Sequence, residues 1–204
     1  MSEQETGLRA RLVGVGVDLV TREGLQALTL REIARRAGVS HGAPRRYFPT
    51  HLSLLSAIAR RGFEDLAART VQAVAAAGLE GDPRAQLELF GRVYLDFART
   101  DQGMYDLMFR HDLLESAELG LRETSLPLYR TLVDLVGRAR AESGASGGDG
   151  SGAQPVVVAG ALWANLHGIA QLWGWGSLQL ATGGDDVEPL LSAALDAHLG
   201  PRAP

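Results

Sequence analysis

"TLREIARRAGVSHGAPRRYFP", Thr29 to Pro49, is the stretch whose reading decides the fold. It sets two arginines beside an aromatic pair, in a chain of net charge −4, just after a glycine and a proline that disfavour helix. Its punctuation resolves the conflict. Thr29 fits a helix N-cap with Glu32 as its N3 partner, a capping box, and Leu28 with Ile33 fits the accompanying hydrophobic staple. Gly38 supplies a C-terminal stop after about two and a half turns. With Ser40 as the next N-cap, Gly42 falls in the first turn and Pro44 at its edge, where at most one intrahelical hydrogen bond is lost. Arg45 to Phe48 then stay helical until Pro49 closes the segment. Two short capped helices joined by a tight "AGVS" turn are a helix-turn-helix signature.

The composition of the chain agrees with that signature. A length of 204 residues suffices for one good core, or one core plus a small satellite domain. β-branched and aromatic residues are sparse beside Ala, Leu, Arg and Gly, which favours helices. The absence of cysteine excludes disulfides and thiolate metal sites. The polar start "MSEQETG" does not resemble a secretory signal, so a cytoplasmic location is expected. The net acidity conceals an asymmetry: residues 1–62 carry ten Arg against five acidic residues, and the remainder carries ten Arg against nineteen. The positive end is the one that holds the opening stretch, and every cation in it is an arginine, whose fork binds phosphates and base edges bidentately.

Helical periodicity predicts further helices over about 8–22 and 50–77, then one that starts at Pro83 and carries Leu87, Phe90, Tyr94 and Phe97, then others over about 102–110, 118–142 and 187–199, with no alternating strand pattern. The glycines at 14 and 16 weaken the first. Gly24 ends it, Gly78 and Gly81 break the second, and Asp82 with Pro83 starts the third. Residues 143–154 form a Gly/Ser linker expected to be flexible. From Pro155 to Gly184 no residue is charged, a length that would satisfy a membrane span. Asn165, His167, Gln171 and Gln179 interrupt that run and its flanks are not basic, so burial between layers or subunits is the preferred reading.

In a helix-turn-helix the second helix enters the major groove while its neighbours hold phosphates. That places Ser40, His41, Gly42, Arg45 and Arg46 toward DNA, with Thr29, Arg31, Tyr47 and His51 on the backbone. Ala37, Val39 and Phe48 pack the motif together. In the middle helices Tyr94, Phe97, Met104, Tyr105, Met108, Phe109, Tyr129, Trp163 and His167 combine flat aromatics with adaptable Met, as a small-molecule pocket would; ordinary core is the competing reading. His111 with Asp112, or with His167, lacks diagnostic metal-ligand spacing, so neither metal nor cofactor is expected. No Gly-rich phosphate loop, GxSxG or HExxH motif supports an enzyme.

The stretch "LTLREIARRAGVSHGAPRRYFPTHLSLLSAI" closely resembles the DNA-binding domain of the TetR/AcrR family of bacterial transcriptional repressors, over about residues 7–62. The family commonly has Tyr where this chain has Arg45, and Lys where it has His51. "LWANLHGIAQL" resembles the Trp-x-x-x-His-Gly element of one subclass of TetR C-terminal domains, carried by Trp163, His167 and Gly168. The resemblance implies an all-α protein with a DNA-binding domain over 1–50 and a ligand-binding and dimerisation domain over 51–204. It further implies a homodimer built on the last two helices, through Leu162, Leu166, Val187, Leu190, Leu191, Ala194, Leu195 and His198. The expected partners are a palindromic double-stranded DNA operator and a small-molecule effector that releases it, with no membrane. The alternatives are a helical small-molecule-binding protein or enzyme with an unused N-terminal motif, and an architectural DNA binder without a ligand.

Overall fold

The computed structural model describes residues 3–110, 121–143 and 153–202. Its helices are α1 (Glu3–Glu23), α2 (Leu30–Arg36), α3 (Pro44–Tyr47), α4 (His51–Ala77), α5 (Pro83–Thr100), α6 (Gln102–Met108), α7 (Leu121–Glu142), α8 (Pro155–Gly174), α9 (Ser177–Thr182) and α10 (Glu188–Leu199). A single 3-10 turn, Leu25–Ala27, links α1 to α2, and no strand occurs among the described residues. Most of the linker predicted over 143–154, together with His111 and Asp112, lies outside the described residues.

The chain forms two compact units. The first comprises Met1–Asp65 and Asp101–Ser125, the second Leu66–Thr100 and Leu126–Pro204. In the first, α1 packs against α2, α3 and α6 over a core of Leu12, Leu19, Ile33, Ala34, Phe48, Leu54 and Ile58, all at most 2% exposed. Two glycines allow this closeness. A Cβ on Gly16 would stand 2.3 Å from Ile58 Cδ1, and one on Gly103 would stand 2.2 Å from the Val20 carbonyl oxygen. Gly14 is different, because a Cβ there meets nothing within 4 Å.

In the second unit α8 packs on α5 and α10, and α10 returns to α5. Gly91 lets Leu191 approach, since a Cβ at Gly91 would lie 2.5 Å from Leu191 Cδ1. Ion pairs of Arg84 with Asp196 and of Arg92 with Glu188 tie α5 to α10. Helix α8 is apolar and long enough to cross a membrane by length and composition alone. Here its Val158, Ala159, Leu162, Leu166 and Ala170 are buried within the protomer.

Candidate nucleic-acid interface

The local chemistry of Thr29–Pro49 builds the candidate site. Thr29 is extended, and its hydroxyl accepts the Glu32 N–H at 3.2 Å, as the capping box predicts. The reciprocal half of that box does not form. The Thr29 N–H donates to the Ala27 carbonyl at 2.8 Å, while the Glu32 carboxylate turns to Arg35 and Arg36. Charge-assisted bonds to two guanidinium groups outcompete a single backbone donor that the preceding turn has already satisfied. They hold the Glu32 carboxyl down at about 2, Arg35 first and Arg36 next.

Helix α2 ends in a Schellman motif. Gly38 takes φ +66, the Val39 N–H reaches the Ala34 carbonyl at 3.0 Å and the Gly38 N–H reaches the Arg35 carbonyl at 3.2 Å. The entry to α3 departs from the sequence expectation. Ser40 does not cap α3; its carbonyl accepts the Ala43 N–H at 3.0 Å, closing a turn through His41 and Gly42. Pro44 is the first helical residue, so its missing N–H falls where no intrahelical partner exists. The link between α2 and α3 therefore runs from Ala37 to Ala43, longer than the tight turn expected. Phe48 leaves the helix at φ −130, because the residue before a proline is driven toward extended backbone. Its ring is buried and fastens the end of α3 to the core.

Exposure and pairing sort the arginines. Arg35 and Arg36 are committed to Glu32, and Arg36 also to Glu23 at 2.7 Å. Arg31, Arg45 and Arg46 are exposed and form no ion pair among the described residues. Thr29, Ser40, His41 and Gly42 are also exposed, and Tyr47 is half-buried. α2 and α3 thus present a surface rich in uncommitted guanidinium groups. His51 has a different position. Its Nε2–H donates to the Leu28 carbonyl at 2.6 Å, joining the start of α4 to the entry of α2. That bond commits the Nε2–H within the protein and leaves Nδ1 as the ring's other nitrogen. Thr50 caps α4 by accepting the Ser53 N–H at 3.0 Å, while Ser53 Oγ accepts the Thr50 N–H at 3.2 Å.

The candidate pocket residues divide between the units. Met104, Tyr105, Met108 and Phe109 belong to the first, where a Cβ on Gly62 would strike Met108 Sδ at 2.6 Å and Phe63 meets Phe109 edge to face at 5.7 Å. Tyr94, Phe97, Tyr129, Trp163 and His167 belong to the second. There a hydrogen bond of 3.0 Å joins the Tyr94 hydroxyl and His167 Nδ1, and Trp163 contacts both Tyr129 and His167. The Arg69 guanidinium covers the Phe97 ring at 4.9 Å.

The candidate dimer residues fall into two groups by burial. Leu162, Leu166, Leu191, Ala194 and Leu195 are buried among the helices of the second unit. Val187, Leu190 and His198 are half-buried, and the Asn165 amide donates to His198 Nε2 at 2.9 Å. Burial lowers the pKa of His198, consistent with a neutral acceptor ring.

Comparison with known proteins gives two family matches. Residues 12–58 match the model of bacterial regulatory proteins of the tetR family, and residues 87–198 match the tetracyclin repressor-like C-terminal domain. The HTH-type transcriptional repressor KstR of Mycolicibacterium smegmatis is 34% identical over 77 residues, which are 38% of either chain. The aligned part is thus well under half the length of that repressor. A protein of unknown function from Rhodococcus sp. RHA1 is similar over 94% of this chain and 93% of its own, with 30% identity and a TM-score of 0.75. The RolR structure in complex with resorcinol shares the fold at 20% identity and a TM-score of 0.66, over 100% of this chain and 92% of its own.

Proposed function

We infer from the membership of this chain in the TetR family of bacterial regulatory proteins, to which both its parts match, that it is a dimeric, ligand-released repressor. Transcriptional regulation is the work of that family; the operator, dimer and effector are our reading for this member. The observation that carries it is the exposed, uncommitted set of Arg31, Arg45 and Arg46 on a helix-turn-helix whose other α2 arginines are neutralised internally. Residues 1–50 would form the reading head and 51–204 the sensing and dimerising part. Two reading heads related by a two-fold axis would bind half-sites about one helical turn apart.

The dimer reading is supported by the face of α8 opposite its buried side. Val157, Ala161, Ala164, Gly168, Leu172 and Trp175 recur at intervals of three and four, and Val157 and Trp175 are 60% and 69% exposed. A Cβ on Gly168 would meet nothing within 4 Å in the protomer, so this small-residue seam is open to close approach by another helix. Pro189, Ala193 and Ala197 continue a similar exposed row on α10.

For the effector, the cluster of Tyr94, Tyr129, Trp163 and His167 in the second unit is the favoured recognition surface, as it offers aromatic faces with two polar groups. An effector that binds better to a conformer with mismatched reading heads shifts the population and releases DNA. Such a protein acts in the cytoplasm, where its DNA is, and catalysis has no part in the proposal. Footprinting on DNA upstream of the protein's own gene tests the reading. A protected palindrome that disappears with a compound stabilising the protein is the expected result. No protection at moderate salt would leave a helical small-molecule-binding protein with an unused motif; protection that no compound reverses would leave an architectural binder.

A further inference from the structure

The hydrogen bond between Asn165 and His198 joins α8 to α10 at the edge of the face that stays open. Asn165 is exposed and stands four positions after Ala161 and three before Gly168, so it shares the small-residue seam on which the dimer reading rests. His198 is half-buried and follows the exposed Ala197 of the row on α10. A second copy seated on the seam therefore covers this pair.

The surroundings of His198 do not compensate a charge on its ring. Residues 155–184, which include all of α8, carry no charged side chain, and the titratable His167 of α8 is turned to Tyr94 of α5. From α5, Arg84, Glu88 and Arg92 face α10 but are engaged with Asp196, Arg202 and Glu188. Asp196 is two positions from His198, hence on another side of α10. At the end of α7, Ser143 donates its hydroxyl to the Leu199 carbonyl; of the charged residues before it, Arg140 reaches the Ala153 carbonyl and Glu142 is exposed. Burial alone moves the ring, holding its pKa below the usual 6.5. We propose that the Asn165–His198 pair is a proton switch in the dimer seam: the neutral ring admits a second copy, and the imidazolium drives the copies apart. The inference rests on the dimer reading above. Asn165 can turn its amide oxygen to a protonated ring, but a neutral amide does not offset the burial of a full charge, which a two-fold axis repeats. A ring buried more deeply in the dimer than in the free protomer binds protons less well there. Dissociation then takes up protons, so the dimer is tightest above the pKa of the free protomer's ring and loosens as pH falls through it.

Sedimentation velocity of the full chain, labelled at its N-terminal amine and followed from pH 7.5 to 5.0, tests the switch, with helical content tracked by circular dichroism. The wild-type dissociation constant should rise roughly tenfold or more over that range while helical content holds. His198→Gln keeps a hydrogen-bonding side chain that does not titrate, and its dissociation constant should stay within about threefold. Asn165→Asp gives the imidazolium a carboxylate partner and should remove most of the loss in acid. A wild type that is monomeric at pH 7.5 would refute the dimer reading itself. A dimer whose dissociation constant does not change with pH, or that loosens equally in wild type and His198→Gln, would overturn the switch and leave the dimer standing. Loosening that merely follows the loss of helix would overturn it too.

Discussion

Arg45 and Arg46 stand adjacent on a single turn of helix, so they cannot both point in one direction, and their roles in DNA binding should separate. Replacing by alanine the one that reads a base edge should lower operator affinity by about 1–3 kcal/mol and relax sequence preference at one position. Replacing the one that holds a phosphate should weaken all sequences alike and reduce the salt slope by about one. Anisotropy titrations against operator variants over a range of salt distinguish them; two variants that bind like wild type would refute the docking of α3. Glu32 offers a test by pH. Its folded carboxyl, at about 2, lies below the usual 4.5, so its stabilising contribution is fully present above about 4.5 and is lost as pH falls toward 2. Glu32→Gln should therefore lower the melting temperature at neutral pH, with the difference from wild type closing over that acid window.

Glycines within the helices carry different functions that sequence does not distinguish. Gly103→Ala drives a Cβ into the Val20 carbonyl and Gly24 Cα, which are backbone atoms that cannot step aside. A loss of about 1–3 kcal/mol or more is expected in chemical denaturation. Gly14→Ala meets open space and should instead stabilise by roughly 0.5–1 kcal/mol, from helix propensity alone. The helices themselves were legible in sequence, since Thr29, Gly38, Asp82 and Pro83 are all cap or stop residues acting as local chemistry dictates. The start of α3 was not, because Ser40 is the better N-cap by local chemistry and yet the helix begins at Pro44. The choice depends on burying Pro44 and Phe48 together.

For the molecule as a whole, the proposed dimer implies that a charge on the open seam of α8 separates the protomers without unfolding them. Gly168→Glu or Ala161→Glu should give a monomer in light scattering, with helical content unchanged by circular dichroism. Operator affinity should fall by more than tenfold, as two half-sites are no longer held together. A dimer that survives both changes would place the interface elsewhere. Sequence periodicity found α8 and α10 but not which of their sides faces the protein's own core. An apolar stripe looks the same whether it faces its own core or a partner, and only packing on α5 shows that Leu162, Leu166, Leu191 and Leu195 are already covered.

The sequence by itself determined what depends on neighbours within a turn or two of helix. The all-helical architecture, the cap at Thr29, the stop at Gly38 and the concentration of arginine near the N-terminus are of that kind. The tertiary structure decided whatever depends on residues distant in the chain. Glu23 joins Glu32 in engaging Arg36, the Leu28 carbonyl accepts the Nε2–H bond of His51, and Arg9 comes to rest over Phe48. Such contacts decide which arginines stay exposed and unpaired, which aromatics share a unit and which apolar face stays open. The physical reason is that ion pairing and burial depend on distance in space, whereas capping and helix termination depend on spacing along the chain.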